Sequence, residues 1–339
     1  MRLSVLDQST ASKGKTQDTA IRETLALAKH CDALGYHRYW VSEHHNSGNI
    51  VGTAPEVLMA AIAATTPRIR IGSAGVMLPH YSAFKVAEQF RVLEAIAPGR
   101  IDLGVGRAPG SDQLTSRALN PYPQDVHDQF PQQVQELQHW VTGSPLPDDH
   151  PFKRVIAHPT GPSFPQMWIL GSSDYGAQLA AYFGMPYAFA YFFSYGFDVD
   201  KALALYRKQY RPSELHPKPQ CTICVWALAA DTEAEALYQF KSRERALIER
   251  ESGIRQPLMS PEEAAARPLT PHEKVFSEKL LRHAVVGTAE QVKQRLDELA
   301  KRLDLDELVV VTWTYDQAPR MRSYELLAEA YGLKKSAAP

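Results

Sequence analysis

Cysteine is scarce, with three in 339 residues, an odd number that suits a reducing compartment better than a disulfide framework. Two of them, Cys221 and Cys224, have the Cys-x-x-Cys spacing of redox and metal motifs, but they lie in Cys221-Thr222-Ile223-Cys224-Val225-Trp226-Ala227-Leu228, a strand-like run. Residues three apart on a strand face opposite sides, so a purely structural role is expected. An excess of charge is missing too. The formal net charge is −1, which gives no electrostatic reason to expect nucleic acid or an anionic membrane as a partner. No apolar run approaches the roughly 20 residues of a membrane span, and Leu3-Ser4-Val5-Leu6 is too short for the apolar core of a signal peptide. A cytoplasmic protein is expected. A Walker-type phosphate loop is also absent. Gly104-Val105-Gly106-Arg107-Ala108-Pro109-Gly110 fails as a dinucleotide fingerprint, because Pro109 stands where the third glycine is needed and no helix start follows.

What is present is a soluble globular composition, 44% hydrophobic and 22% charged, with a regular alternation of elements. Strand-like runs at 3–9, 39–46, 69–79, 100–107, 167–173, 187–193, 221–230 and 307–314 alternate with helical patterns, and a last helix spans 321–331. With no internal repeat and no linker, this predicts one α/β domain over 1–339, a single (β/α)8 TIM-type barrel. An open doubly wound sheet is the alternative, which periodicity alone does not separate. Insertions are expected after strand four, where residues 108–126 read as a loop and 142–165 are rich in Pro, Gly, Asp and His, and after strand seven. The second, at 251–286, is charged and proline-bearing and is expected to form a lid. The alanine-rich helix at 56–64 is apolar on nearly all sides, which predicts that its outer face meets a second subunit.

The strand Tyr39-Trp40-Val41-Ser42 runs into Glu43-His44-His45-Asn46. In a barrel of parallel strands, strand ends carry the active site, so Glu43 and His44 become candidate catalytic groups; a hydrogen-bonded loop cap is the plainer reading. A metal is not expected, since successive residues of an extended chain alternate in direction. Arg107 ends the fourth strand with a planar fork suited to phosphate. Gly171-Ser172-Ser173-Asp174-Tyr175-Gly176 offers two hydroxyls and free N–H groups at a helix start, an anion site or simply an N-cap. On neighbouring strands of one barrel, Arg107 and Ser173 would make a mononucleotide phosphate site. The glycines in Ile69-Arg70-Ile71-Gly72-Ser73-Ala74-Gly75 mark a bulge or a close approach, or else simple crowding. Tyr191, Phe193 and Tyr195, at the expected end of strand six, suit an apolar organic substrate; core packing is the alternative.

Several of these blocks, in this order, resemble the bacterial luciferase-like family of flavin-dependent monooxygenases, over most of the chain. They are Gly35-Tyr36 through Asn46, Gly72 through Pro79, Glu88-Gln89, Pro98 through Arg107, Leu170-Gly171-Ser172-Ser173 and Val286-Gly287-Thr288-Ala289-Glu290-Gln291-Val292. The resemblance implies a TIM-type barrel, often dimeric, that uses reduced FMN delivered by a separate flavin reductase. It implies reaction with O2 through a flavin hydroperoxide to oxygenate a small organic substrate. Carried over by position, His44 is the catalytic histidine, and Ser73, Ala74 and Gly75 form a bulged strand against the flavin ring, where members often carry a non-prolyl cis peptide. Arg107, Ser172, Ser173 and Gly176 surround the phosphate. Gly106 replaces a reactive cysteine of luciferase itself, so light emission is not expected. A deazaflavin-dependent dehydrogenase on the same fold and a non-catalytic flavin-binding protein remain the other readings.

Overall fold

The computed structural model describes residues 1–108, 110–121, 129–194 and 198–334. Nine strands are found among them: β1 (Arg2–Asp7), β2 (Arg38–Val41), β3 (Arg70–Met77), β4 (Ile101–Gly106), β5 (Gln166–Gly171), β6 (Tyr187–Phe189), β7 (Cys221–Ala230), β8 (Val285–Thr288) and β9 (Glu307–Val311). All neighbours pair in parallel, β1 through β7 in chain order, and β9 joins β7 to β1 and closes an eight-stranded barrel. The expected barrel is therefore present, and the open sheet is excluded.

Period-two alternation sorts the strand residues into an outer face, packed by the helices, and an inner face. Along β2 the inward residues are Arg38 and Trp40, along β5 Gln166 and Trp168, along β7 Thr222, Cys224 and Trp226. The floor of the barrel is ionic. Arg38 donates from Nε to Glu307 and from a terminal nitrogen to Asp102, each at 2.8 Å, and Arg70 reaches Asp102 at 2.6 Å. Burial pushes the Asp102 carboxyl up, but these two guanidiniums override it and hold the group below its usual range. Above the floor, the edge-to-face Trp40 and Trp168 rings fill the barrel, 5.2 Å between centroids. The open, functional end lies above them.

Three expectations need correction. β7 is long enough to split its partners: Ile223–Trp226 pair with β9, while Ala227–Ala230 run past the barrel rim and pair with β8. Val285 and Val286 thus belong to a strand, and the insertion before them folds into helices Pro261–Ala266 and Pro271–His283. Strand six stops at Phe189, where Ala190 donates to the Gly171 carbonyl at 2.8 Å and a helical turn, Tyr191–Ser194, follows. Within 108–126, helix Gln113–Leu119 forms because Asp112 caps it, accepting from the Thr115 amide at 2.9 Å. Cys221 and Cys224 are free and face opposite sides of β7, one toward the outer core and one into the barrel.

Candidate active site

The end of β2 divides its acid and two imidazoles between two jobs. Glu43 is buried and accepts from the Met77 amide (3.0 Å), the Tyr81 hydroxyl (2.6 Å) and His45 Nε2 (2.8 Å). It therefore ties the end of β2 to the end of β3, and its imidazole partner is His45. His44 turns the other way: its amide donates to the Gly52 carbonyl at 3.0 Å, and Nδ1 lies 3.2 Å from the Ser42 hydroxyl. Burial pushes its pKa down to about 4, so the ring is neutral at neutral pH. Among the described residues, no protein group engages Nε2.

β3 supplies a wall. Its register with β4 slips between Ser73 and Val76, and the Ala74–Gly75 peptide is cis. Ser73 is fully buried; its hydroxyl donates to the Gly104 carbonyl (2.8 Å) and accepts from the Gly104 amide (3.1 Å), so it fastens the bulge from behind. Glycine is required on both strands here. A Cβ on Gly75 would stand 2.8 Å from the Gly104 carbonyl oxygen, and one on Gly104 would run into the Ser73 carbonyl.

The third component is the meeting of β4 and β5. Arg107 lies with its guanidinium carbon 3.9 Å from the centre of the Tyr175 ring, a cation–π contact that leaves the charge exposed. Ser172 and Ser173 are exposed at the start of helix Asp174–Phe183, and the Ser173 side chain does not cap its own helix. Asp174, the acid nearest this start, is paired with Lys201 at 2.5 Å. A Cβ on Gly176 would stand 3.3 Å from the Tyr187 ring and 3.4 Å from the Gly171 Cα, so a glycine here lets the helix start come down close to the end of β5.

One cavity of about 320 Å³ joins all of this: Glu43, His44, Ala74, Gly75, Arg107, Ser172, Ser173 and Gly176 line it. Ser73 does not. Phe193 lines the rim, whereas Tyr191 packs into the outer core, because the chain has already turned into a helix there. Tyr195 lies outside the described residues. Phe192, between Tyr191 and Phe193 and not itself expected at the site, lines the cavity as well. A second compartment of about 280 Å³ adjoins the first, sharing Gln8, His44, Gly110, Phe192 and Phe193. Its other walls include Trp226, Trp313, Arg243, Arg250 and Arg255, none of which was expected from sequence. A signal existed: Ala236, Phe240, Arg243, Leu247 and Arg250 form one helical stripe, with cations at positions that should be apolar. No group of three or more metal-ligating side chains gathers among the described residues.

Barrel, bulged third strand and a histidine facing a cavity at the strand ends define a class of enzyme scaffold, and comparison with known proteins gives the family. The model of the luciferase-like monooxygenase family matches residues 1–305. The protein YwcH of Bacillus subtilis is 44% identical over 331 residues, 97% of this chain and 98% of its own. The N-acetyl-S-alkylcysteine monooxygenase of the same organism is 36% identical over 337 residues, covering 97% and 98%. The crystal structure of apo-MsnO8 superposes with a TM-score of 0.90 at 34% identity, covering 99% of both chains. The chain belongs to the luciferase-like monooxygenase family. The fold alone is shared with a type II Baeyer–Villiger monooxygenase constituent in complex with FMN (19% identical, TM-score 0.72) and with an F420-dependent secondary alcohol dehydrogenase (14%, TM-score 0.70).

Proposed function

We propose that the protein is a flavin-dependent monooxygenase that takes reduced FMN from a separate reductase and uses O2 to oxygenate a small organic substrate. The observation that carries this reading is the convergence of an anion-binding corner, a bulged wall and a neutral histidine on one cavity. The residues fit a flavin mononucleotide. Arg107, Ser172 and Ser173 are exposed donors not engaged in capping, as a phosphate dianion requires. A Cβ at Gly106, on the cavity wall, would meet nothing within 4 Å, which leaves room for a ring system. Bound in its reduced form, FMN supplies the two electrons with which O2 is divided between product and water.

This chain's residues do the rest. Arg107 and the serines hold the phosphate, and Ala74 and Gly75 back the ring. Trp40, Leu170 and Phe192 keep water out. His44, neutral and held through Nδ1, keeps Nε2 available to take or return a proton beside the reacting atoms. Glu43 positions the strand ends and His45 rather than moving the proton itself. The insertion ahead of β8, residues 252–284, serves as the lid: Leu258 is clamped between Ala11 and Lys13 by two backbone bonds of 2.8 Å, which seats the segment over the barrel mouth. The protein works in the cytoplasm as a homodimer through Val57, Val92 and Ile96, apolar residues left exposed on adjacent helices.

The test supplies reduced FMN in air and follows oxygen uptake across small organic compounds. Uptake accelerated by one of them, with an oxygen atom from O2 in its product, is expected. Anaerobic hydride transfer to a deazaflavin instead would overturn the reading in favour of a dehydrogenase.

A further inference from the structure

The second compartment has a charge pattern that the oxygenation reading does not use. Among the described residues, Arg243, Arg250 and Arg255 line it and no aspartate or glutamate does. Arg243 is nearly fully buried, its guanidinium carbon 4.3 Å from the centre of the Trp226 ring. Arg250 stands two turns further along the same helix, Glu233–Glu251, on the same face. Arg255 enters from the following loop. Among the described residues, neither Arg250 nor Arg255 has an ion-pair or side-chain hydrogen-bond partner. Arg250 is half-buried and Arg255 exposed, and with buried Arg243 they bring like charges to one partly open space beside the apolar wall of Trp226, Leu247 and Trp313, a mutual repulsion that solvent screens only in part. An anion inside relieves it. Apolar surface is present beside the cations, from Trp226, Leu247 and Trp313 and from Phe192 and Phe193, which the compartment shares with the cavity that His44 faces.

We propose that this compartment is the substrate site and that its substrate is a small amphiphilic anion. A carboxylate, or a group of like charge, is held by Arg250 and Arg255 with Arg243 behind them, and the apolar part to be oxygenated is turned toward His44. This narrows the apolar substrate expected from Phe193 and its neighbours to one with a charged end. It rests on the monooxygenase reading for the chemistry, but not for the binding. The guanidiniums add reach as well as charge, because each can give two parallel bonds to a carboxylate. Arg255 also bears on His44: its positive charge adds to the burial that keeps the imidazole unprotonated. A bound anion would offset that contribution, so substrate binding makes the histidine more basic.

The probes are 3-phenylpropanoate, 3-phenylpropanesulfonate and neutral 3-phenylpropanamide, titrated into the full chain and followed by tryptophan fluorescence, since Trp226 and Trp313 line the compartment. The carboxylate is expected to bind about tenfold or more tighter than the amide, as charge-assisted bonds allow. Arg250→Gln and Arg255→Gln should each remove most of that preference while amide affinity and melting temperature hold, and Arg255→Lys should keep part of it. Sulfonate binding on a par with carboxylate supports an anion site of broader class. Equal or absent binding of the anions and the amide overturns the proposal. FMN titration of the same variants separates the two readings. FMN affinity lost in Arg250→Gln or Arg255→Gln would assign the cluster to the flavin phosphate and overturn the inference. Wild-type protein that prefers the anion but binds no flavin would leave the inference standing and remove the monooxygenase reading.

Discussion

Two adjacent histidines with different partners make the sharpest contrast at the scale of single residues. His44 faces the cavity, and its removal should cut oxygenation by the ~10²–10⁴ expected of a general acid or base, with FMN affinity and melting temperature little changed. His45 donates to buried Glu43, so His45→Ala should cost about 1–3 kcal/mol of stability, through the carboxylate oxygen left with one partner fewer, and much less activity. Turnover and thermal melts of the two variants check this, and activity lost only in His45→Ala would reverse the roles. His44 also makes a pH prediction. The unfolded chain protonates this ring near its ordinary 6.5, the folded chain only near 4. Between those values the unfolded state binds more protons, so stability present above pH 6.5 is lost as pH falls toward 4. Urea melts of flavin-free His44→Gln should show a shallower loss over that window, and an unchanged slope would place the proton uptake on another group. That a histidine here would line a cavity was legible from the pair's place at a strand end. Which ring faced the cavity was not, because Ser42, Gly52 and Tyr81 set the directions, and they come from three different segments.

Among the elements, β3 and β4 carry the account. Gly104 does not line the cavity, yet a Cβ there would strike the Ser73 carbonyl, part of the fixed bulge. Gly104→Ala should destabilise the protein by about 1–3 kcal/mol, as overpacking does, and weaken flavin binding by displacing Ala74 and Gly75. Denaturant melts and flavin titration measure both, and a variant equal to wild type in each would mean that the bulge is not held by this contact. Elements with strong periodicity were readable from sequence, such as the helix Gln17–Leu34, stopped by Gly35 at φ 88°. The aromatic run after Tyr187 was misread because a strand and a short, partly exposed helical turn at the barrel mouth can use the same residues. The division of β7 between two partners was unreadable for another reason. Pairing is decided by which segments reach its far half, and β8 arrives from an insertion more than fifty residues away in sequence.

For the molecule as a whole, the barrel and the meeting of Arg107 with Ser172 and Ser173 on one cavity were legible because each rests on local patterns that the fold brings together: Arg107 on β4's end, the two serines on β5's. The ionic floor and the arginine-lined compartment were not, since nothing local in the sequence shows that the barrel buries Arg38 or that the helix stripe buries Arg243 and half-buries Arg250. Assembly is the remaining property at this scale. Sedimentation should give twice the chain mass, and Val57→Asp combined with Ile96→Asp should yield a folded monomer; wild-type protein sedimenting as a monomer would remove the dimer. The central claim is that Arg107, Ser172 and Ser173 hold a flavin phosphate in the cavity that His44 faces. Calorimetric titration of FMN and of riboflavin, which lacks the phosphate, into wild type and Arg107→Ala tests it most directly. The account predicts that the substitution weakens FMN binding by about tenfold or more, as a lost charge-assisted contact should, and leaves riboflavin binding nearly unchanged. Equal losses for the two flavins, or none for either, would contradict it.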